Sequence, residues 1–183
     1  MRNETKYEEN NLAALKEQEV ETPEIAIEEF IMFVMGLVDK PIIGRIVLFK
    51  EIFLFYDKLK DRLRIQDPLF FSYKYGPYSV LIAQVLDMME FAGLIIRQGR
   101  RGSRKERFEL TERGKEIAKR LIEKLKRKIG EEEMVNLIKM RKGLDQLGTK
   151  GILRYVYQNY PSFRKHSEIA DKYKTIKWGV GIG

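Results

Sequence analysis

Six cations fall within eleven residues: Arg97, Arg100, Arg101, Arg104, Lys105 and Arg107, with Glu106 as the one acid among them and Gly99 and Gly102 interspersed. Guanidinium groups pair with phosphate oxygens or enter a narrow minor groove, and the glycines give the backbone freedom to follow a surface. A polyanion is therefore the expected partner of this stretch; the alternative is a solvated basic hairpin tip with no ligand. A second group, Lys74, Tyr78, Ser79 and Gln84, flanks and follows the dipeptide Gly76-Pro77. Placed at the N-terminal end of a helix, these groups can meet phosphates or base edges, helped by the exposed amides of the first turn. Aromatics at Tyr73, Tyr75 and Tyr78 could stack on bases, but beside a Gly-Pro turn they are read as packing.

Other chemistry is poorly supplied. The chain has no cysteine and a single histidine, His166, which excludes thiolate metal sites and leaves no histidine pair for zinc. There is no P-loop, no Gly-x-Ser-x-Gly, and no arrangement of His or Cys that would activate a nucleophile. Gly179-Val180-Gly181-Ile182-Gly183 has no helix after it and is read as a flexible terminus. His166 sits beside Arg164, Lys165 and Ser167 and is expected at the surface. The expectation is a protein that is not an enzyme and needs neither cofactor nor metal.

The elements that must position the basic stretch follow from periodicity and punctuation. Thr22-Pro23-Glu24 supplies a cap, a proline at the first helical position and an acid in the first turn, so a helix is expected to about Asp39, with Ile27, Phe30, Ile31, Val34 and Leu37 in one stripe. Pro41 and Gly44 break the chain before a second helix from Arg45 to about Arg62, rich in aromatics. Leu69 to Tyr75 is expected as an extended or irregular link closed by a Gly76-Pro77 turn. A third helix, Tyr78 to Ala92, is apolar nearly all round, with Ser79, Gln84, Asp87 and Glu90 its only polar residues. Because two of those are acids, docking on nucleic acid is expected only at its N-terminal end; otherwise the helix is core or a partner interface.

Gly93 terminates that helix, Leu94 to Arg97 is expected as a strand, Gly99 to Lys105 as a flexible turn, and Glu106 to Thr111 as the returning strand. Thr111 caps a basic amphipathic helix, Glu112 to Ile129. A helix toward Gly143 and a shorter one around Ile152 to Tyr157 follow, and 161–183 has weak periodicity. Helix, strand, basic turn, strand, helix is the order of a winged helix. The fold class expected is mainly α with a small β-hairpin, an α+β winged helix-turn-helix with additional N- and C-terminal helices. Its divisions are an acidic mobile tail (1–21), a winged-helix domain with its N-terminal helix (22–129) and a C-terminal helical extension (130–183).

Charge supports a polyanionic partner. Residues 1–29 hold nine glutamates against Arg2, Lys6 and Lys16, a net of −6; with +8 overall, the remainder carries +14. The tail could therefore fold over the basic loop and compete with DNA. The longest apolar run, Ile25 to Val38, is interrupted by Glu28 and Glu29 and is too short to cross a bilayer, so a cytoplasmic protein with no membrane partner is expected. Abundant Lys and Glu without cysteine is a composition that high growth temperature favours, as in archaeal or thermophilic sources.

Two sets of motifs carry a resemblance. Gly44-Arg45-x-x-Leu48-x-Lys50, Tyr75-Gly76-Pro77-Tyr78-Ser79 and Gly93-Leu94-Ile95 resemble the helical core of winged-helix proteins near the Panacea antitoxin domain. Leu110-Thr111-Glu112-Arg113-Gly114 after a basic wing is similar to the strand-to-helix junction of the PadR and MarR groups of transcription regulators. The likeness covers roughly residues 42–122 and implies a winged-helix fold with a regulator or antitoxin-like role. The expected function is a regulator that binds double-stranded DNA as a homodimer, through apolar stripes of the first helix or of the segment after Glu112. The alternative is an antitoxin- or adaptor-like module whose apolar third helix meets a protein partner.

Overall fold

In the computed structural model, which describes residues 23–169 and Asp171, the chain is mainly helical with a small antiparallel sheet, an α+β arrangement. The acidic tail, the Thr22 cap and the glycine-rich end lie outside the described residues.

Helix α1 spans Ile27–Gly36 and starts four residues after Pro23. The cause is a competing partner for the backbone: Glu24 and Ile25 donate to the Arg64 carbonyl at 2.9 and 3.2 Å, and Gln66 donates back to the Ile25 carbonyl at 2.9 Å. Those amides would be unsatisfied in a first helical turn. Ala26 becomes the cap, its N–H donating to Glu29 Oε2 at 3.1 Å. The helix also stops short of Asp39. Its buried set includes Met32, Phe33 and Met35 besides the expected stripe, so α1 is a central core helix with no free apolar face for a dimer.

Strand β1, Ile42–Ile43, then pairs with β5 (Arg107–Leu110), which pairs with β4 (Ile95–Gln98), giving the antiparallel order β1-β5-β4. Ile42 lies opposite Phe108, and both are buried. Helix α2, Arg45–Leu59, ends three residues earlier than expected and is buried along nearly its whole length. Such burial requires cover on several sides, and α5 (Glu131–Asn159) supplies much of it. α5 is interrupted at Gly148, near the expected break, but its first half runs through Gly143. Leu137, Leu144, Ile152 and Val156 of α5 share one core with α2, and Arg141 pairs with Glu51 at 3.2 Å with both side chains fully buried. Burial pushes the Glu51 carboxyl up to about 8 while Arg141 opposes the shift.

The segment after α2 takes the extended of the two expected forms and is one arm of a hairpin: β2 (Phe71–Tyr73) pairs with β3 (Gly76–Tyr78), Ser72 opposite Pro77. The turn is Lys74-Tyr75, and Gly76-Pro77 belongs to the second strand. A two-stranded ribbon leaves edge positions where a proline without an N–H is tolerated. The 3-10 turn Pro161–Arg164 closes over β2, with Ser72 donating to the Phe163 carbonyl at 3.1 Å and Phe53 held edge-on by Phe70, Tyr160 and Phe163.

Helix α3 is Val80–Phe91, starting after Tyr78, with Ser79 as its cap. Only Ile82, Leu86 and Met89 are buried on it. Thr111 caps α4 (Glu112–Ile129) as expected, its hydroxyl accepting from Gly114 N–H at 3.0 Å and donating to the Gly93 carbonyl at 2.7 Å. Leu121, Leu125 and Ile129 of α4 are buried and the cations line its other face. No helix among the described residues is long and apolar enough to cross a membrane.

Candidate nucleic-acid interface

The loop between β4 and β5 is pinned by the acid that the sequence places among its cations. Glu106 is fully buried; its carboxylate accepts from Arg45 Nε at 3.2 Å, Arg45 Nη2 at 3.1 Å and the Gly102 N–H at 2.7 Å. Arg97 Nε stands 3.7 Å away, and the Glu106 carbonyl accepts from Gly44 N–H at 2.6 Å. Gly102 has φ 77°, a left-handed conformation that turns its amide toward that carboxylate. The expected flexible turn is thus a tethered one.

The tether divides the expected contact residues. The Arg97 side chain is only 4% exposed: it reaches Asp87 at 2.8 Å and Glu90 at 3.4 Å and lies over the Phe108 ring, 5.5 Å from its centroid. It is a structural cation and not a surface group. Arg101 is exposed but also bonds Asp87, at 2.8 Å, and Arg107 pairs with Glu109 at 3.2 Å. The Asp87 carboxyl is held below the usual carboxylate range, chiefly by its hydrogen bond with Arg97. Arg100, Arg104 and Lys105 are exposed, and their side chains have no partner among the described residues. These three form the free cationic tip.

The group around Gly76-Pro77 is largely engaged within the protein. Lys74 pairs with Glu168 at 3.1 Å, which raises its pKa. Ser79 is fully buried, donating to the Pro68 carbonyl and accepting from Ile82 N–H at 3.0 Å, so it cannot meet a phosphate. Tyr78 is half-buried and stacks on Phe49 with centroids 4.9 Å apart, in keeping with the packing reading. Gln84 is exposed on α3. His166 is exposed, and no cluster that could hold a metal occurs among the described residues.

The solvent face of α3 carries Val80, Gln84, Asp87, Met88 and Phe91; Phe91 is 96% exposed and Met88 68%. That spacing is one helical face, and it contains no cation.

Sequence reasoning missed a pocket of about 230 Å³ between α2 and the β2–β3 hairpin. Arg45, Phe49 and Lys50 form one side, Tyr73, Tyr75 and Tyr78 the other, and Gly102 of the basic loop touches its edge. Lys50 is buried, donates to the Pro77 carbonyl at 2.7 Å, and has its ammonium pushed down to about 7 by burial. The available signal was slight: a lysine within an otherwise aromatic and aliphatic helix. No protein-family model, curated protein or solved structure matches the chain.

Proposed function

We propose that the chain is a winged-helix DNA-binding protein, a transcription regulator that meets the phosphate backbone with the tip of its wing. In support of the fold, the order is helix, short strand, helix, a two-stranded hairpin, helix, then a β-ribbon, with the early strand β1 completing the sheet beside β5. In support of the contact, Arg100, Arg104 and Lys105, unpaired among the described residues, project from a loop whose base is fastened by Glu106. This one observation carries the reading: a fastened loop presents its cations at little further ordering cost. Base reading by α3 is left out of the proposal, since Ser79 is buried and Asp87 would repel phosphates. A dimer on DNA is part of the proposal, with α1 excluded as its interface.

The test is fluorescence anisotropy of duplex DNA with the parent and the Arg100→Ala/Arg104→Ala/Lys105→Ala variant across a salt series. Loss of affinity with a slope in log K against log salt flatter by about 0.9 per lost phosphate contact is expected. Equal binding by both proteins would overturn the wing as the contact.

A second reading has its own observation. The exposed face of α3, with Phe91 almost wholly and Met88 about two-thirds in solvent, suits an antitoxin- or adaptor-like module that docks a protein through this helix. Weak, salt-labile DNA binding by the parent chain without sequence preference would favour it.

A further inference from the structure

We propose that the exposed rings of the β2–β3 hairpin stack the bases of single-stranded DNA, while the β4–β5 loop beside them holds its phosphates. By sequence these aromatics read as packing around a Gly-Pro dipeptide, and the structure divides them. Tyr78 is packed, against Phe49. Phe71, Tyr73 and Tyr75 are 42%, 44% and 39% exposed. A single exposed ring is ordinary on a protein surface, but three in one short hairpin form a patch that marks an interaction site. The ribbon register makes an array of them. Phe71 stands opposite Tyr78, and Tyr73 stands opposite Gly76, which has no side chain to cover it. The Tyr73 ring centroid lies 5.9 Å from that of Phe71 and 5.3 Å from that of Tyr78. Phe71 and Tyr73 are therefore held in place before anything binds, and an incoming base meets a preset π-face at small ordering cost.

The charge beside the array selects a polyanion over an apolar protein surface. A groove runs between hairpin and loop, with Tyr73 and Tyr75 on one side and Gly102 at its other edge. Arg45, Ile46 and Gly102 line both this groove and a shallow depression that continues to Arg104. Rings and cationic tip thus share one continuous surface. Arg104, like Arg100 and Lys105, has no partner among the described residues, whereas Lys74 at the hairpin turn is matched by Glu168 at 3.1 Å. Attraction for phosphate therefore comes from the loop, and a sequence-tolerant hold on bases comes from the rings. Those are the two components of a single-strand site.

A duplex hides the faces of its bases in its own stack and offers none to these rings, so the hairpin distinguishes an unpaired strand from a paired one. The inference rests on the reading of Arg100, Arg104 and Lys105 as contacts to DNA phosphates and adds the form of DNA that the neighbouring rings take.

Fluorescence anisotropy of the full chain with labelled oligothymidylate, oligouridylate and a blunt duplex, each about 15 nucleotides long, tests the site. Expected is saturable oligothymidylate binding that weakens at least about fivefold in Tyr73→Leu and again in Tyr75→Leu, the lower end of base–aromatic stacking, with duplex affinity unchanged. Leucine keeps apolar bulk without a π-face, and Tyr73→Phe, which keeps the ring, should bind as the parent does. In the parent itself, oligothymidylate should slow nitration of Tyr73 and Tyr75 by tetranitromethane, a readout that needs no variant to fold. No saturable oligothymidylate binding, parental affinity in the Tyr73→Leu/Tyr75→Leu variant, unprotected tyrosines, or equal or tighter binding of oligouridylate would each overturn the inference. Ring-dependent binding of the single strand by a chain that does not bind the duplex overturns the duplex reading alone. Duplex binding that is lost in Arg100→Ala/Arg104→Ala/Lys105→Ala, with no binding of the single strand, overturns the ring site alone.

Discussion

Arg101 in the β4–β5 loop donates to Asp87 on α3 at 2.8 Å, and the same carboxylate oxygen accepts Arg97 from β4 at 2.8 Å. One acid on the helix thus binds two of the six clustered cations to the protein's own surface. Had all six been free, the charge of this stretch would have been a direct measure of what it offers a polyanion; with Asp87 and Glu106 in place it is not.

Asp87→Asn should strengthen nonspecific duplex binding at low salt. The substitution removes a negative charge from the α3 face and releases Arg101, while Arg97 keeps Glu90 and its place over Phe108. One additional phosphate contact corresponds to a salt slope steeper by about 0.9. Anisotropy at two salt concentrations measures it, and unchanged affinity would show that Arg101 faces away from the bound duplex.

Glu106→Gln should destabilise the protein and loosen the β4–β5 loop together. The carboxylate is the shared acceptor of Arg45 and the Gly102 amide, with Arg97 close by, and removing one partner of a buried ion pair costs about 3–5 kcal/mol. Arg45 is partly exposed and can rehydrate, so the lower end, about 3 kcal/mol, is expected. Urea denaturation reads the stability, and trypsin reads the loop through cleavage at Arg100 and Arg104. A variant with parental stability and parental cleavage would mean that Glu106 is not the tether.

The legible part of the molecule was the part governed by local rules. Thr111 capping α4, Gly93 after α3, the break near Gly148 and the β4–β5 ribbon each follow from residues within a few positions of one another. The parts that were not legible depend on distant partners. Pro23 does not begin a helix because the Arg64 carbonyl claims the amides after it. The two-residue strand β1 exists only because β5 lies beside it, and two residues carry no periodicity. In the candidate site, six cations were visible, but the division of them was not: Glu106 meets Arg45 across sixty-one positions and Asp87 meets Arg101 across fourteen. Spacing in the sequence contains no term for such pairings.

Gly114→Ala should unfold the junction between β4 and α4. A Cβ at this position would stand 2.2 Å from the Leu94 carbonyl oxygen, a backbone atom that also accepts the Thr111 N–H at 3.0 Å and cannot retreat freely. Alanine ordinarily favours a helix over glycine by about 1 kcal/mol, but overpacking costs about 1–3 kcal/mol and here acts against backbone. A net loss of stability by thermal melting is expected. Gly143→Ala in α5, where a Cβ meets nothing within 4 Å, is the matched control and should be neutral or stabilising. Equal effects at the two sites would contradict the close approach of α4 to Leu94.

Lys50→Met should stabilise the protein most at low pH. Burial holds the folded-state pKa near 7, against about 10.4 for a lysine in an unfolded chain. Below pH 7 both states bind the proton and the folded protein bears the full cost of a buried ammonium. Between pH 7 and about 10.4 the unfolded chain binds a proton that the folded chain has released, so the parent's stability from this group rises with pH. Methionine has no proton to exchange, and its loss of the hydrogen bond to the Pro77 carbonyl is the same at every pH. The difference in Tm between variant and parent should therefore be more favourable to the variant at pH 6 than at pH 9.5, by about 2–4 °C for each 1 kcal/mol of relief. A difference that does not change with pH would show that Lys50 keeps its charge in the folded protein throughout this range.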